Sequence, residues 1–202
     1  MAKSDLLETP HGRCVIIALD GDVPLVGAEV AHAARLPDVR RREFVAGRTA
    51  LRTLLGEPVA ILPDDRGAPT LPQGWVGSIS HKGQVAAALV APAGDGFIGL
   101  DIEVAAAPRQ AIEKRILTAR EQQHVRDGRD VTRSFAIKEA IYKAIDPIVR
   151  RYVGFTEVEL DVAADGSCSV HVLDIARLPV VVEAWWQERD GLWLATARAR
   201  AR

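Results

Sequence analysis

Cysteine, methionine and aromatic residues are scarce in this chain: its 202 residues include two Cys, one Met and only 5% Phe, Trp and Tyr. Cys14 and Cys168 stand far apart and in no metal-ligand spacing. That excludes a disulfide framework and a thiolate metal site, and leaves idle thiols of a reducing compartment. An excess of one charge is missing too, since the formal net charge is -1, which argues against a generally nucleic-acid-binding surface. No apolar run approaches the ~20 residues of a spanning helix. The opening MAKSDLLETPHGRCVIIALD has early acidic residues and only a short apolar run, without the basic and apolar regions of a secretory signal. The cytoplasm is therefore the expected address. What the chain does have is 48% hydrophobic and 26% charged residues, enough for one large domain or two small ones with a sizeable core.

Periodicity and turn residues give an element order. A first strand is expected at 14–19, turn signals at 20–24 and a helix over 27–36. Asp38 is a candidate N-cap for a second helix to about Leu55, where Gly56 and Pro58 stop it. After a loop rich in Pro, Gly and Asp at 63–74, strands are expected at 76–80, 85–91 and 96–104. In the second half Thr118 to Glu121 (TARE) is a capping-box signature. A helix begins near Ser134 and should end at Pro147, and strands follow near 155–162, 167–173, 180–187 and 192–198. Each half runs helices first and strands afterwards, and the expected division is 1–104 and 105–202.

Four stretches carry possible chemistry. If GFIGLDIEV (96–104) is a strand, Ile98, Leu100 and Ile102 face a core while Asp101 and Glu103 face the other way, about 7 Å apart. Two carboxylates on one face reach a single hard cation, and Mg²⁺ takes a few carboxylates plus substrate phosphates; the plain alternative is an exposed acidic face. In VGSISHKGQ (76–84) a strand delivers Ser78 and Ser80 to one face and then turns at His81, Lys82 and Gly83. Those donors suit a phosphate, or the stretch is simply a hairpin. Six arginines stand against two acids between Arg35 and Arg52, and on a helix Arg41, Arg48 and Arg52 share a face able to grip phosphate by forked hydrogen bonds, or merely solvated. RSFAIKEAIYKAI (133–145) puts Ile137, Ala140, Ile141, Ala144 and Ile145 on one core-facing stripe, yet carries Lys138, Glu139 and Lys143 off a clean polar face. A solvated Glu139–Lys143 pair at i,i+4 would contribute only ~0.3–0.5 kcal/mol.

GSISHKG, IGLDIE and FAIKEAIYK, in that order and at those separations, with REFVAGRTALRTLLG (42–56) ahead of them, make the sequence similar to the 4'-phosphopantetheinyl transferases of the surfactin-synthetase and enterobactin-synthetase type. The likeness spans roughly residues 40 to 145. It implies an α+β fold of two similar halves related by a pseudo-twofold, with the active site and coenzyme A between them, working as a monomer. It implies Mg²⁺-dependent transfer of the phosphopantetheine arm of coenzyme A to a serine of an apo acyl, peptidyl or aryl carrier protein. Release of 3',5'-ADP and service to polyketide, nonribosomal peptide or siderophore synthesis go with it. By the same resemblance Asp101, Glu103 and Glu139 are metal ligands, Lys143 contacts the phosphates and Lys138 assists. Ser80 and His81 bind the nucleotide's phosphates and Arg48 grips the nucleotide end, with Arg40 and Arg52 as weaker carry-overs. Glu139 and Lys143 are then the catalytic residues, the serine proton goes to Glu139 or to a water on the metal, and Phe135 and Tyr142 wall the site.

The sequence departs from the family pattern at Phe135, where many members have Trp, at Ala140, where others have Ser, and at Ala68, which is Lys in some relatives and has Arg66 nearby. Two rival readings are a catalytically inactive carrier- or coenzyme A-binding module and a metal-dependent phosphohydrolase. Carrier proteins with an acidic recognition helix need a basic surface, for which Arg150–Arg151 or Lys114–Arg115 are candidates.

Overall fold

The computed structural model describes residues 5–19 and 24–202, and the chain divides into two compact units, Met1–Gly94 and Asp95–Arg202. Both are α+β. The first is a four-stranded antiparallel sheet in the order β1-β2-β4-β3, carrying one long helix. β1 (Asp5–Thr9) was not expected, and its sequence shows why: DLLET is short, and Leu6 is 63% exposed. β2 (Gly12–Ala18) follows, and the turn expected at 20–24 lies, save Pro24, outside the described residues. The expected helix at 27–36 shrinks to α1 (Glu29–Ala33), whose N-cap Ala28 offers no side-chain oxygen to the free N–H groups.

α2 runs Asp38–Leu55, ending as expected, but Pro37 and not Asp38 stands at the N-cap; Asp38 lies in the first turn, where its charge suits the helix dipole. Gly56 ends it with φ 73°, a left-handed conformation natural to glycine, and donates its N–H to Arg52. Ala46, Ala50, Leu51 and Leu54 pack from α2 against Val15, Ile17, Ala86, Ala88 and Val90 of β2 and β4 (Val85–Pro92). β3 (Trp75–Lys82) pairs with β4 from end to end, so the strand continues through His81 and Lys82, where a turn was expected.

The second unit is a five-stranded antiparallel sheet in the order β5-β9-β8-β7-β6. β5 is Phe97–Val104, β6 Val158–Val162, β7 Ser167–Val172, β8 Val180–Arg189 and β9 Leu192–Ala201. A 3₁₀ turn, Phe155–Glu157, precedes β6. Because β5 pairs along its whole length with β9, it belongs to this unit, and the break falls after Gly94 rather than after residue 104. Two short helices, α3 (Glu113–Ile116) and α4 (Ala119–Gln122), lead to the long α5 (Gly128–Val149). The capping box expected at Thr118 is present in both directions.

α5 starts six residues before the expected Ser134, since the Asp127 side chain accepts from the N–H groups of Arg129 and Asp130. It also passes Pro147, which stands in the last turn; Arg150, left-handed at φ 47°, donates to Asp146 and closes the end. Its stripe Ala136, Ile137, Ala140, Ile141, Ala144 and Ile145 packs on Ala195, Ala197 and Ala199 of β9 and on Trp186 and Trp193. Among the described residues no helix is long and apolar enough to cross a membrane.

Candidate active site

Alternation along β5 puts Gly99, Asp101 and Glu103 on one face, and α5 covers that face. A Cβ built on Gly99 would lie 1.9 Å from the Ala140 carbonyl oxygen and 2.8 Å from the Ala144 nitrogen. The glycine of G-L-D-I-E is thus a contact point where strand and helix backbones touch, a role the sequence reading did not give it. So the acids do not form a solvated face. Asp101 is 6% exposed and Glu103 half-buried, while Ile98, Leu100 and Ile102 on the other face are buried as expected.

Glu139 and Lys143, one helical turn apart, come from the same side of α5. Lys143 Nζ donates to Asp101 Oδ1 at 2.7 Å and to the Leu100 carbonyl at 2.8 Å. Its ion pair is with Asp101, not the surface pair with Glu139 that the helix alone suggests. Burial pushes the Glu139 carboxyl above the usual carboxylate range; the negative charge of Asp101, and then that of Glu103, add to this, with Lys143 and Arg115 opposing. Three carboxylates from two elements therefore feel one another. Among the described residues they do not form a ready three-ligand metal group, and the Lys143 ammonium holds one of them. The donor set is all carboxylate, with neither thiolate nor imidazole, which is the chemistry of a hard divalent cation. The ammonium on Asp101 marks a place where positive charge is already required, so the residues present fit such an ion.

Lys138 departs from expectation. It is fully buried, and its Nζ lies 2.7 Å from Glu121 Oε2 and within hydrogen-bond reach of the carbonyls of Ile116 (2.8 Å), Phe155 (2.9 Å) and Val158 (3.1 Å). It is not available to a phosphate. Its direction, about 100° around the helix from Glu139, turns it towards α3, α4 and the start of β6. Phe135 and Tyr142 likewise pack on Phe155, with ring centroids 5.6 and 5.1 Å apart, and Tyr142 also feels the charge of Glu139. Glu121, read from sequence only as a helix cap, is the partner that was missed.

In the first unit the arginines of α2 separate into two roles. Arg52 is 9% exposed and gives Nη1 to both oxygens of the fully buried Glu29, at 2.8 and 2.7 Å. Arg48 is 7% exposed, donates Nε to the Ile61 carbonyl at 3.0 Å and stacks over Phe44 at 4.0 Å. Burial lowers its pKa to about 10, with the neighbouring Arg52 charge acting in the same direction and Glu29 against it. Arg52 is thus a structural cation; of the expected face of Arg41, Arg48 and Arg52, only Arg41 is exposed, while Arg48 and Arg52 are turned into the packing. Arg40 remains exposed and pairs with Glu43 at 2.9 Å, and His81 Nε2 lies 3.5 Å from the same carboxylate oxygen. Arg40 and His81 therefore meet over Glu43, a residue the sequence reading passed over, while Ser80 is buried in β3 opposite Ala87.

Residues 28–91 match the family model of the 4'-phosphopantetheinyl transferase N-terminal domain, and residues 97–197 match that of the 4'-phosphopantetheinyl transferase superfamily. Similar curated proteins include the 4'-phosphopantetheinyl transferase Npt of Nocardia iowensis, 33% identical over 171 residues, 78% of this chain and 71% of that protein. Another is the 4'-phosphopantetheinyl transferase Svp of Streptomyces mobaraensis, 32% identical over 180 residues, 83% of this chain and 72% of that protein. Among solved structures an ACPS-CoA complex of Chronobacterium ammoniagenes is similar with a TM-score of 0.40 and 18% identity, over 52% of this chain and 96% of that one. The chain belongs to the 4'-phosphopantetheinyl transferase superfamily, a family of enzymes with coenzyme A as substrate.

Proposed function

We propose that this enzyme moves the 4'-phosphopantetheine arm of coenzyme A onto a serine hydroxyl of an apo acyl, peptidyl or aryl carrier protein, with Mg²⁺, in polyketide, nonribosomal peptide or siderophore synthesis. The serine oxygen forms a bond to the β-phosphorus, the bond from that phosphorus to the bridging oxygen breaks, and 3',5'-ADP leaves. Asp101, Glu103 and Glu139 would hold the divalent cation. When bound, it neutralises charge building on the pyrophosphate oxygens. Lys143 turns its ammonium from Asp101 to the phosphates, adding a second positive charge at the same place. Glu139 is the candidate among these residues for accepting the serine proton. Arg40, His81, Ser80 and the edge of Arg48 are proposed to grip the nucleotide's phosphates, while Lys138 and Arg52 drop out because each is committed to a buried acid.

The carrier is expected to meet Lys114 and Arg115, both exposed and close enough for Arg115 to act on Glu139. Arg151 is less suited, being forked onto Glu157 at 3.1 and 2.7 Å. The observation that carries the reading is the pairing of Lys143 with Asp101 beside a Glu139 raised by Asp101 and Glu103. Incubation with coenzyme A and a panel of apo carriers, followed by intact-protein mass, tests it. A gain of one phosphopantetheine that vanishes on chelation and returns with Mg²⁺ is expected. Gain undiminished by chelation would remove the metal from the account, and nucleotide release without any carrier would favour a hydrolase.

A further inference from the structure

α5 meets β5 where Gly99 lies against Ala140. Small residues on both sides bring the backbones close, but offer little that interlocks, so this contact alone does not fix how α5 is rotated. Rotation matters here: a turn of about 20° moves a carboxylate carried about 6 Å from a helix axis by about 2 Å. The element that resists it lies on another side of the helix. Lys138 Nζ takes its acceptors from three separate stretches, the Ile116 carbonyl, the Glu121 carboxylate of α4, and the Phe155 and Val158 carbonyls beside β6. Glu121 is held in turn by the N–H of Thr118 at 2.7 Å and, through its other oxygen, by the N–H of Leu160 at 2.9 Å. The charged pair is buried, with Lys138 at 0% and Glu121 at 6% exposure.

We infer that Lys138 and Glu121 are a positioning pair that locks the rotation of α5, so that Glu139, the next residue, and Lys143 are aimed at Asp101. The geometry stands by itself; what Glu139 and Lys143 then do rests on the transferase reading above. A buried ion pair is a poor device for stability alone, because exchanging both partners for neutral groups of similar size is often nearly neutral, whereas removing one is costly. Three N–H donors shared among four acceptors from three stretches supply orientation, which an apolar plug does not. Lys138 is therefore a positioning residue, neither a substrate contact nor a catalytic group.

The test compares wild type with Lys138→Met and with the double variant Glu121→Gln/Lys138→Met. Gln keeps the capping box through its one amide oxygen, and gives up the bond that the other carboxylate oxygen accepts from the Leu160 N–H. The single variant should unfold at lower temperature, because it leaves Glu121 buried without a cation, and the double should recover part of that loss. At a temperature where it is fully folded, the double should still lose about tenfold or more in kcat with KM for coenzyme A nearly unchanged, as displacement of reacting groups by about 1 Å is enough for such losses. In its crystal structure the Lys143 Nζ to Asp101 Oδ1 contact, 2.7 Å in wild type, should open beyond ion-pair reach. A double variant with wild-type kcat and an intact Lys143–Asp101 contact overturns the inference. So does a Lys138→Met variant whose KM for coenzyme A rises tenfold at unchanged kcat. Should wild type itself transfer nothing, the transferase reading fails, and the crystallographic contact alone still decides the positioning role.

Discussion

Replacing Arg52 by Met would leave the Glu29 carboxylate fully buried, still accepting from the N–H groups of Val26 and Ile61, but with its cation gone. Breaking a buried pair from one side costs about 3–5 kcal/mol, so denaturant unfolding of Arg52→Met should show a loss of that order. A loss below about 1 kcal/mol would return Arg52 to the list of nucleotide contacts. Residues of this kind were hidden in the sequence for a physical reason. Helical spacing tells which way Arg52 or Lys138 points, but not which acid waits there, and Glu29 and Glu121 arrive through the packing of other helices. For Asp101, Glu139 and Lys143 two short-range rules, alternation along a strand and the i,i+4 step along a helix, told which face each stands on, while their grouping followed only from the family resemblance. Glu43, which Arg40 and His81 share, gave no such signal beyond lying three residues after Arg40.

At the scale of elements, the contact of β5 with α5 depends on the missing side chain of Gly99. Gly99→Ala places a methyl 1.9 Å from the Ala140 carbonyl oxygen, which is backbone and can yield only if the whole helix moves. Overpacking of this kind costs about 1–3 kcal/mol or more, and the variant should lose transfer together with thermal stability; activity at the wild-type level would contradict the contact. The start of α5 offers a pH test. Hydrogen bonds from Arg126, chiefly, hold the Asp130 carboxyl below its ordinary range, and Arg133 adds to this from one turn on. A carboxyl lowered on folding contributes stability above its unfolded pKa and loses it as pH falls through the lower, folded value. Wild type should therefore exceed Asp130→Asn in unfolding midpoint near neutrality, with the gap closing in acid; a gap that stays constant to pH 3 would contradict the pairing. The onset of this helix was misplaced from sequence because Gly128 and the run of charges up to Arg133 mask the periodicity, while the cap at Asp127 is what starts it.

For the molecule as a whole, two family models match one after the other along one chain, and each compact unit has its own sheet and its own long helix. The long α2 and most strands were readable, since their periods are local, whereas β1, the extent of α1 and the start of α5 were not. The division after Gly94 was not, because β5 chooses a partner nearly a hundred residues downstream, and no local pattern announces such a pairing. That choice has a chemical consequence: Asp101, Glu103, Glu139 and Lys143 all lie within the second unit, so the acid set depends on one fold, α5 laid across β5 and β9. The central claim is that these carboxylates serve phosphopantetheinyl transfer, and intact-protein mass of an apo carrier after incubation with coenzyme A and Mg²⁺ tests it most directly. Wild type should convert the carrier, while Asp101→Asn and Glu139→Gln, shown to be folded at the assay temperature by cooperative unfolding above it, should reduce the rate about a hundredfold or more. Conversion at the wild-type rate by both folded variants would contradict it.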